Sequence, residues 1–302
     1  MAFRLEYILF QLLKFIIQHL SLKSARRLGI FIGTVGYFCV PKRRNIALDN
    51  LQHAFPEKTI MERKTIAHHA FQSYAVAMIE FLWFPKISQT HLREIVSIKG
   101  LDVYRECNKR RKGVVVLSAH FGSWELDALA LGLAGGVQAS IVVQTQSNSY
   151  IDKIINNHRT MFGNKVVPMG VSVREIIRAL QRTEVVALAA DQSGPQEGPF
   201  VEFFGRMTAT HQGPAIFALR MGCPILMSLA IRNPDYTYTI NVEEVPSTDL
   251  CGDSEANVLE LTKRHTRVLE GYIRQYPDQW LWMHRRWKHS LERNETIIKE
   301  LG

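Results

Sequence analysis

The feature that most constrains this chain is a series of short apolar runs, rich in valine and isoleucine, separated by stretches of helical periodicity. The runs are "VVVLSA" at 114–119, "ASIVVQ" at 139–144, "NKVVPM" at 164–169, "EVVALAA" at 184–190, "PILMSLAI" at 224–231 and "YTINVEEV" at 238–245. Most are apolar throughout, the pattern of strands covered on both faces. Helical segments are expected between them, near 124–134, 149–162, 172–182 and 212–221, with a last one over about 253–275. That alternation predicts an α/β fold: a central, mostly parallel sheet flanked by helices. Upstream, residues 45–95 read as helical, broken at Pro56 and ended by Pro85. Beyond residue 40 or so no repeat, low-complexity tract or long linker divides the sequence, so residues 41–302 are expected to form one domain.

The first run leads into "HFGSWE", which places His120 and Glu125 just past a strand's carboxyl end. Ligands of such sheets sit there, because the loops face solvent and helix N-termini point free N–H groups inward. A short Phe121-Gly122 loop with Ser123 as N-cap would put Glu125 in the first turn of the next helix. On one continuous helix, residues five apart diverge by about 140°, so the loop is what allows the pair to cooperate. The carboxylate could then hold one ring nitrogen while the other accepts a proton, the arrangement of a general base. A purely structural pair at a strand end remains the alternative on these residues alone. Ser123 lies in no GxSxG elbow, no cysteine is near, and no HExxH spacing is present, so a nucleophile would have to come from a substrate and no metal is expected. Neither a P-loop nor a GxGxxG is present, so no cofactor is expected.

Residues 1–40 differ in character and are expected to form a membrane-associating helical segment. "LEYILFQLLKFIIQHL" is apolar but too polar for a clean spanning helix, and Arg4, Tyr7, Gln11, Lys14 and Gln18 fall on one narrow stripe at helical period. A second uncharged run at 28–40 is interrupted by glycine and flanked by Arg26, Arg27, Lys42, Arg43 and Arg44, a composition suited to anionic headgroups. Spanning the bilayer and dipping into it both stay open. The net charge of +9 points to an anionic partner, which by itself could be nucleic acid, lipid or an acidic protein. Cys39, Cys107, Cys223 and Cys251 form no CxxC pair and lie in or beside apolar sequence, so buried, reduced thiols in a reducing cytoplasmic setting are expected.

"HFGSWE", together with "RRNIALDNLQHAFPEKTIMER" at 43–63, "YIDKIINNHRTMFGNKVV" at 150–167, "AADQSGPQEGPFVEFFGRMTATHQGPAIFALRMGCPI" at 189–225 and "YPDQWLWMHRRWK" at 276–288, resembles the lipid A biosynthesis lauroyl/myristoyl acyltransferases across nearly the whole chain. The resemblance implies transfer of a fatty acyl chain from acyl carrier protein to a hydroxyl of a lipid A precursor or related membrane glycolipid. It places the enzyme at the cytoplasmic face of the bacterial inner membrane, against an anionic surface, with no nucleic acid partner. His120 would be the base, Glu125 its partner, and the acceptor hydroxyl the nucleophile. The same superfamily contains phosphatidylinositol mannoside-type acyltransferases that use acyl-CoA and an HxxxxD pair, which is the alternative activity. A non-catalytic lipid- or nucleic-acid-binding protein is the alternative from another class.

Further candidates for substrate binding follow from position and resemblance. Arg159, before the run "NKVV", could hold a phosphate or carbonyl. Asp191 and Gln192 follow the run "EVVALAA", where polar groups can orient a sugar hydroxyl. Arg206, Thr208 and Thr210 precede a helix start where phosphate could meet free N–H groups. Glu202 matches an acidic residue of the mannoside branch. Trp280, Trp282 and Trp287, interleaved with His284, Arg285, Arg286 and Lys288, read as a stacking surface, an interfacial belt or partial core. The basic run Lys109, Arg110, Arg111 and Lys112 is a candidate docking surface for an acidic acyl carrier protein.

Overall fold

The run 114–118 forms the centre of the sheet, and its side chains explain why it carries no polar alternation. Successive residues of a strand point to opposite faces. Here Val114 and Val116 enter one hydrophobic cluster, with Leu126 and Leu129, while Val115 and Leu117 enter another, with Ile176, Ala179 and Leu180. The computed structural model describes residues 2–135, 138–170 and 172–290. In chain order the strands are β1 (Val96–Lys99), β2 (Val114–Ser118), β3 (Ala139–Val143), β4 (Lys165–Pro168), β5 (Val185–Ala189), β6 (Phe200–Phe203), β7 (Arg206–Ala209), β8 (Ile225–Arg232) and β9 (Tyr238–Glu244). The helices are α1 (Ala2–His19), α2 (Leu22–Cys39), α3 (Pro41–Ala54), α4 (Ile60–Trp83), α5 (Gln89–Ile95), α6 (Leu101–Lys109), α7 (Trp124–Gly135), α8 (Ser149–Arg159), α9 (Ser172–Gln181), α10 (Gly213–Met221) and α11 (Glu255–Gln275).

Seven strands pair in the order β1-β9-β8-β2-β5-β3-β4, all parallel except the β8–β9 pair. All six anticipated strands are present. The short edge strand β1 was not anticipated, because "VSIK" alternates half-buried and exposed residues and offers no apolar run. A separate antiparallel hairpin joins β6 and β7 through Phe204 and Gly205, both at positive φ (54° and 73°), as tight hairpin turns require.

The first two helices are laid against α4. Ala25, Gly29, Gly33 and Tyr37 recur every four residues and form the buried stripe of α2. A Cβ on Gly33 would stand 2.4 Å from Cα of Gln72, so only glycine permits this approach. Beneath it a buried polar cluster ties α2 and α4 to the sheet: Arg26 Nε donates to Glu80 at 2.6 Å, the Tyr238 hydroxyl donates to the same carboxylate, and Arg232 Nε donates to the Tyr238 oxygen at 2.9 Å.

The polar stripe of α1 turns toward the protein instead of toward water. Tyr7, Gln11, Lys14 and Gln18 are half-buried, and Gln18 donates to the Leu82 carbonyl at 3.0 Å. Leu5, Ile8, Leu9, Leu12 and Phe15 point outward, each exposed by more than half, and Phe31 and Phe38 of α2 do the same. Among the described residues no helix is long and apolar enough to cross a membrane. Cys107 and Cys223 are buried free thiols as expected, whereas Cys39 and Cys251 are exposed.

Candidate active site

His120 and Asp191 are brought together by strand register. β2 and β5 are parallel neighbours with Ser118 opposite Ala189, so the residues two places beyond each strand end stand side by side. His120 Nδ1 lies 2.9 Å from Asp191 Oδ1, and the His120 backbone N–H donates to Oδ2 at 3.0 Å. Trp280 Nε1 donates to the same Oδ2 at 3.0 Å. Asp191 is thus a buried carboxylate whose oxygens accept three N–H groups, the circumstance in which ionisation survives burial.

The loop carrying His120 is clamped on both sides. Gly122 has φ +54°, and a Cβ there would fall 1.8 Å from the Ala230 carbonyl oxygen of β8. Its N–H donates to the Gln279 carbonyl at 2.8 Å, and the Leu281 N–H donates to the His120 carbonyl at 3.1 Å. The imidazole keeps Nδ1 on Asp191, lies 5.3 Å from the Trp124 ring, and has a side chain 26% exposed. Among the described residues Nε2 has no hydrogen-bond partner, and it is the nitrogen free to accept a proton.

Glu125 lies in the first turn of α7, as its spacing predicts, but it does not hold the imidazole. It forms a two-pronged pair with Arg159 at the end of α8, Nε to Oε2 at 2.9 Å and Nη2 to Oε1 at 2.5 Å. The expected partnership is therefore redrawn: Asp191 takes the ring nitrogen, and Glu125 reaches His120 only through its field. The cause is the register above, which sets Asp191 directly beside the ring while Arg159 draws Glu125 toward α8. Ser123 also departs from expectation. Its hydroxyl is buried without a hydrogen-bond partner, so it caps nothing, although its carbonyl begins α7 by accepting from Asp127 N–H at 3.0 Å.

Burial alone would lower the His120 pKa; the Asp191 carboxylate overrides it, Glu125 adds to that, Arg159 opposes weakly, and the net value is raised. Burial would raise Asp191, but the His120 ring and N–H together with Trp280 hold it down at about 2. A neutral-to-cationic imidazole backed by an ionised carboxylate can accept a proton and stabilise the charge that results.

The remaining expected residues separate into two groups. Gln192 lies beside the site and lines an apolar cavity of about 560 Å³ formed by α1, α2, α4 and the 281–284 segment, with Ile32, Phe71, Met78 and His284 among its walls. Tyr74 of that wall stacks on Trp124, whose ring lies 5.3 Å from that of His120, so two aromatic rings connect the cavity wall to His120. Arg206, Thr210 and Glu202 do not join this site. Thr210 is buried, donates to the Thr208 carbonyl at 3.1 Å and accepts from Arg286 at 2.7 Å. Arg206 pairs with Phe203 beside the hairpin turn, about 13 Å along the strand from Thr210. Glu202 lines a separate charged cleft with Lys263, Arg267, Glu270 and Arg274.

Trp280, Trp282 and Trp287 are 2%, 0% and 4% exposed, so they are core and offer neither a stacking surface nor a belt. The run 109–112 stands at the opposite end of β2 from His120, with the five-residue strand, about 17 Å long, between them. Lys109 and Arg110 there are paired with Glu106 and Glu244. Sequence reasoning missed Trp280 and Gln279 as supports of the site; their only signal was membership in the segment 276–288.

A mostly parallel sheet bearing a carboxylate-backed histidine past its central strand, with an apolar cavity nearby, is an arrangement suited to general-base chemistry on an apolar substrate, and the family it belongs to makes it an acyltransferase. The family model for bacterial lipid A biosynthesis acyltransferases matches residues 5–289, and the chain belongs to that family. It is 27% identical over 270 residues to the lipid A biosynthesis palmitoleoyltransferase of Escherichia coli K12, covering 86% of this chain and 84% of that protein. It is 25% identical to the lauroyltransferase of the same organism, over 87% of this chain and 84% of the other. A phosphatidylinositol mannoside acyltransferase of Mycobacterium tuberculosis matches at 26% over 52% of this chain and 51% of its own length.

Proposed function

We propose that this acyltransferase moves a fatty acyl chain from acyl carrier protein to a hydroxyl of a lipid A precursor or related glycolipid, at the cytoplasmic face of the inner membrane. The reading rests above all on the His120–Asp191 pair, with Nδ1 held by the carboxylate at 2.9 Å and Nε2 left open beside the apolar cavity. Nε2 takes the proton of the acceptor hydroxyl as its oxygen attacks the thioester carbonyl. Collapse of the tetrahedral adduct breaks the C–S bond, and the imidazolium returns its proton to the departing thiolate. Gly122 and Ser123 N–H groups are occupied by Gln279 and Ala230 carbonyls, so the oxyanion is assigned to N–H groups of the first turn of α7, beginning at Trp124.

The apolar cavity is the bed for the acyl chain, and the Glu125–Arg159 pair orients the acceptor, with the Glu125 carboxylate supporting the charge on His120 against the opposing Arg159. Residues 1–40 act as a membrane-contacting segment on an acyltransferase body of residues 41–302; the last twelve residues of that body lie outside the described ones. The outward leucines, isoleucines and phenylalanines of α1 and α2 suit the hydrocarbon boundary of an anionic bilayer. Replacing His120 by Ala should lower kcat/KM by roughly a hundredfold or more. In a deletion strain, wild-type protein should restore an acylated lipid visible by mass spectrometry, and the folded His120→Ala protein should not. Near-normal acylation by that variant would eliminate the mechanism.

A further inference from the structure

Arg286 is a cation placed deep in the protein without a carboxylate on it. It is 2% exposed; Nη1 donates to the Ala209 carbonyl at 2.9 Å, Nη2 to Thr210 Oγ1 at 2.7 Å, and the guanidinium sits 4.9 Å from the Phe203 ring centroid. Among the described residues no Asp or Glu is within ion-pair distance of it. Asp191 is the reverse case, a buried carboxylate whose three hydrogen bonds come from His120 and Trp280 and none from a cation of fixed charge. The two face the same small internal cavity of about 10 Å³, together with Ser118, His265 and Thr266. His265 Nε2 is buried there without a hydrogen-bond partner, and the space is that of a single water able to bridge these groups.

Two opposite charges, each buried and each lacking a charged partner of fixed sign, are costly apart and compensate one another when they share a low-dielectric enclosure. We propose that Arg286 is a positioning residue that balances the Asp191 charge from beneath and thereby sets the proton affinity of His120. This rests on the reading of His120 as the base. The charged and titratable groups facing His120 are Asp191, Glu125 on α7, Arg159 on α8 and His284 on the C-terminal segment. Those facing Arg286 are Asp191, His265 on α11, and His211 and His284 on either side. Burial depresses the pKa of each of these three histidines and the guanidinium depresses it further, while the Asp191 carboxylate works the other way on His211 and His284. Among the groups facing Asp191, Arg286 is the one of permanent charge, and His120 is the ring bonded directly to the carboxylate. Removing the permanent cation leaves the carboxylate without its fixed counter-charge, and His120, bonded to it, must hold its proton more tightly.

The test is a titration of the His120 ring by NMR in the full-length protein carrying ¹³C-labelled histidine, with the signal assigned by its loss in His120→Gln. Arg286→Gln, which keeps a donor but no charge, should raise the proton affinity of His120 roughly threefold to tenfold. Arg286→Lys, which keeps the charge, should leave it close to wild type. A folded Arg286→Gln protein whose His120 titrates as in the wild type would overturn the proposal. If Arg286→Gln does not fold, Asp191→Asn/Arg286→Gln decides: recovery of folding when both charges are removed supports the pairing. Failure of the double variant as well makes Arg286 a strut for the hairpin and overturns it. Because the readout is a titration, it stands apart from the acyl-transfer assay: an altered titration alongside full activity of His120→Ala would refute the catalytic reading while leaving this one.

Discussion

Asp191 and His120 stabilise each other's charged forms, which ties folding to pH and, with His120 as the proposed base, catalysis as well. A base must be neutral to act, so the acid limb of kcat/KM should lie above the ordinary histidine value of about 6.5. Asp191→Asn removes the charge that raises it; the limb should move to lower pH while the plateau falls by roughly a hundredfold or more, as the ring loses its orienting acceptor. The stability consequence has a definite window. His120, raised in the folded state, contributes below about 6.5 and loses that contribution as pH rises through its folded value. Asp191, depressed to about 2, contributes above about 4 and loses it as pH falls toward 2. Urea unfolding should therefore show the largest deficit of Asp191→Asn between about pH 4 and 6.5, narrowing on either side. A deficit that is flat with pH would separate Asp191 from the titration of His120.

At the scale of elements, α1 inverts the usual amphipathic arrangement. Its polar stripe bonds to the body of the protein through groups such as Gln18, while its wider apolar face looks outward. A helix exposing Ile8 at 60%, Leu12 at 56% and Phe15 at 59% gains nothing from those side chains in water, so their replacement should leave folding untouched. Ile8→Ser/Leu12→Ser/Phe15→Ser should keep the wild-type Tm yet weaken binding to anionic vesicles. At about 1.5 kcal/mol for each side chain, the loss would be on the order of a thousandfold. Unchanged sedimentation with vesicles would place membrane contact elsewhere. α2 is held differently, by its buried glycines: Gly33→Ala would push against the Gln72 backbone and should destabilise by about 1–3 kcal/mol in urea unfolding.

For the whole molecule, the excess of +9 favours long-range attraction to an acidic carrier protein and to anionic lipid. That attraction shortens as the Debye length falls from about 10 Å at 0.1 M salt to about 3 Å at 1 M. Accordingly kcat/KM with acyl carrier protein as donor should drop steeply with salt, while kcat at saturating donor stays nearly constant. The sheet decides where that attraction can act. Arg111 and Lys112 stand at the far end of β2 from His120, whereas Arg43 is exposed at the wall of the apolar cavity with its guanidinium on the Met283 carbonyl at 3.1 Å. Arg43→Gln should raise the donor KM severalfold, and Arg111→Gln/Lys112→Gln should leave it within about twofold. The reverse result would put donor docking at the other end of the sheet.

Local pattern was enough for much of this architecture. Apolar runs such as 114–118 mark strands buried on both faces because each residue there meets a hydrophobic cluster on its own side. Prolines and periodicity place α3, α4 and α7 to α11, though not α6, and the position of His120 past a strand end marks where chemistry belongs. What local pattern could not contain is the order in which strands lie side by side. Asp191 is 71 residues from His120 and meets it only because β5 pairs with β2 in one register. Trp280 completes the carboxylate's shell from a segment 89 residues beyond it. Glu125, adjacent in sequence, is drawn away by Arg159 from another helix. The polar stripe of α1 was legible, but its direction was not, since periodicity shows that two faces differ and only the packing of neighbours decides which one is covered.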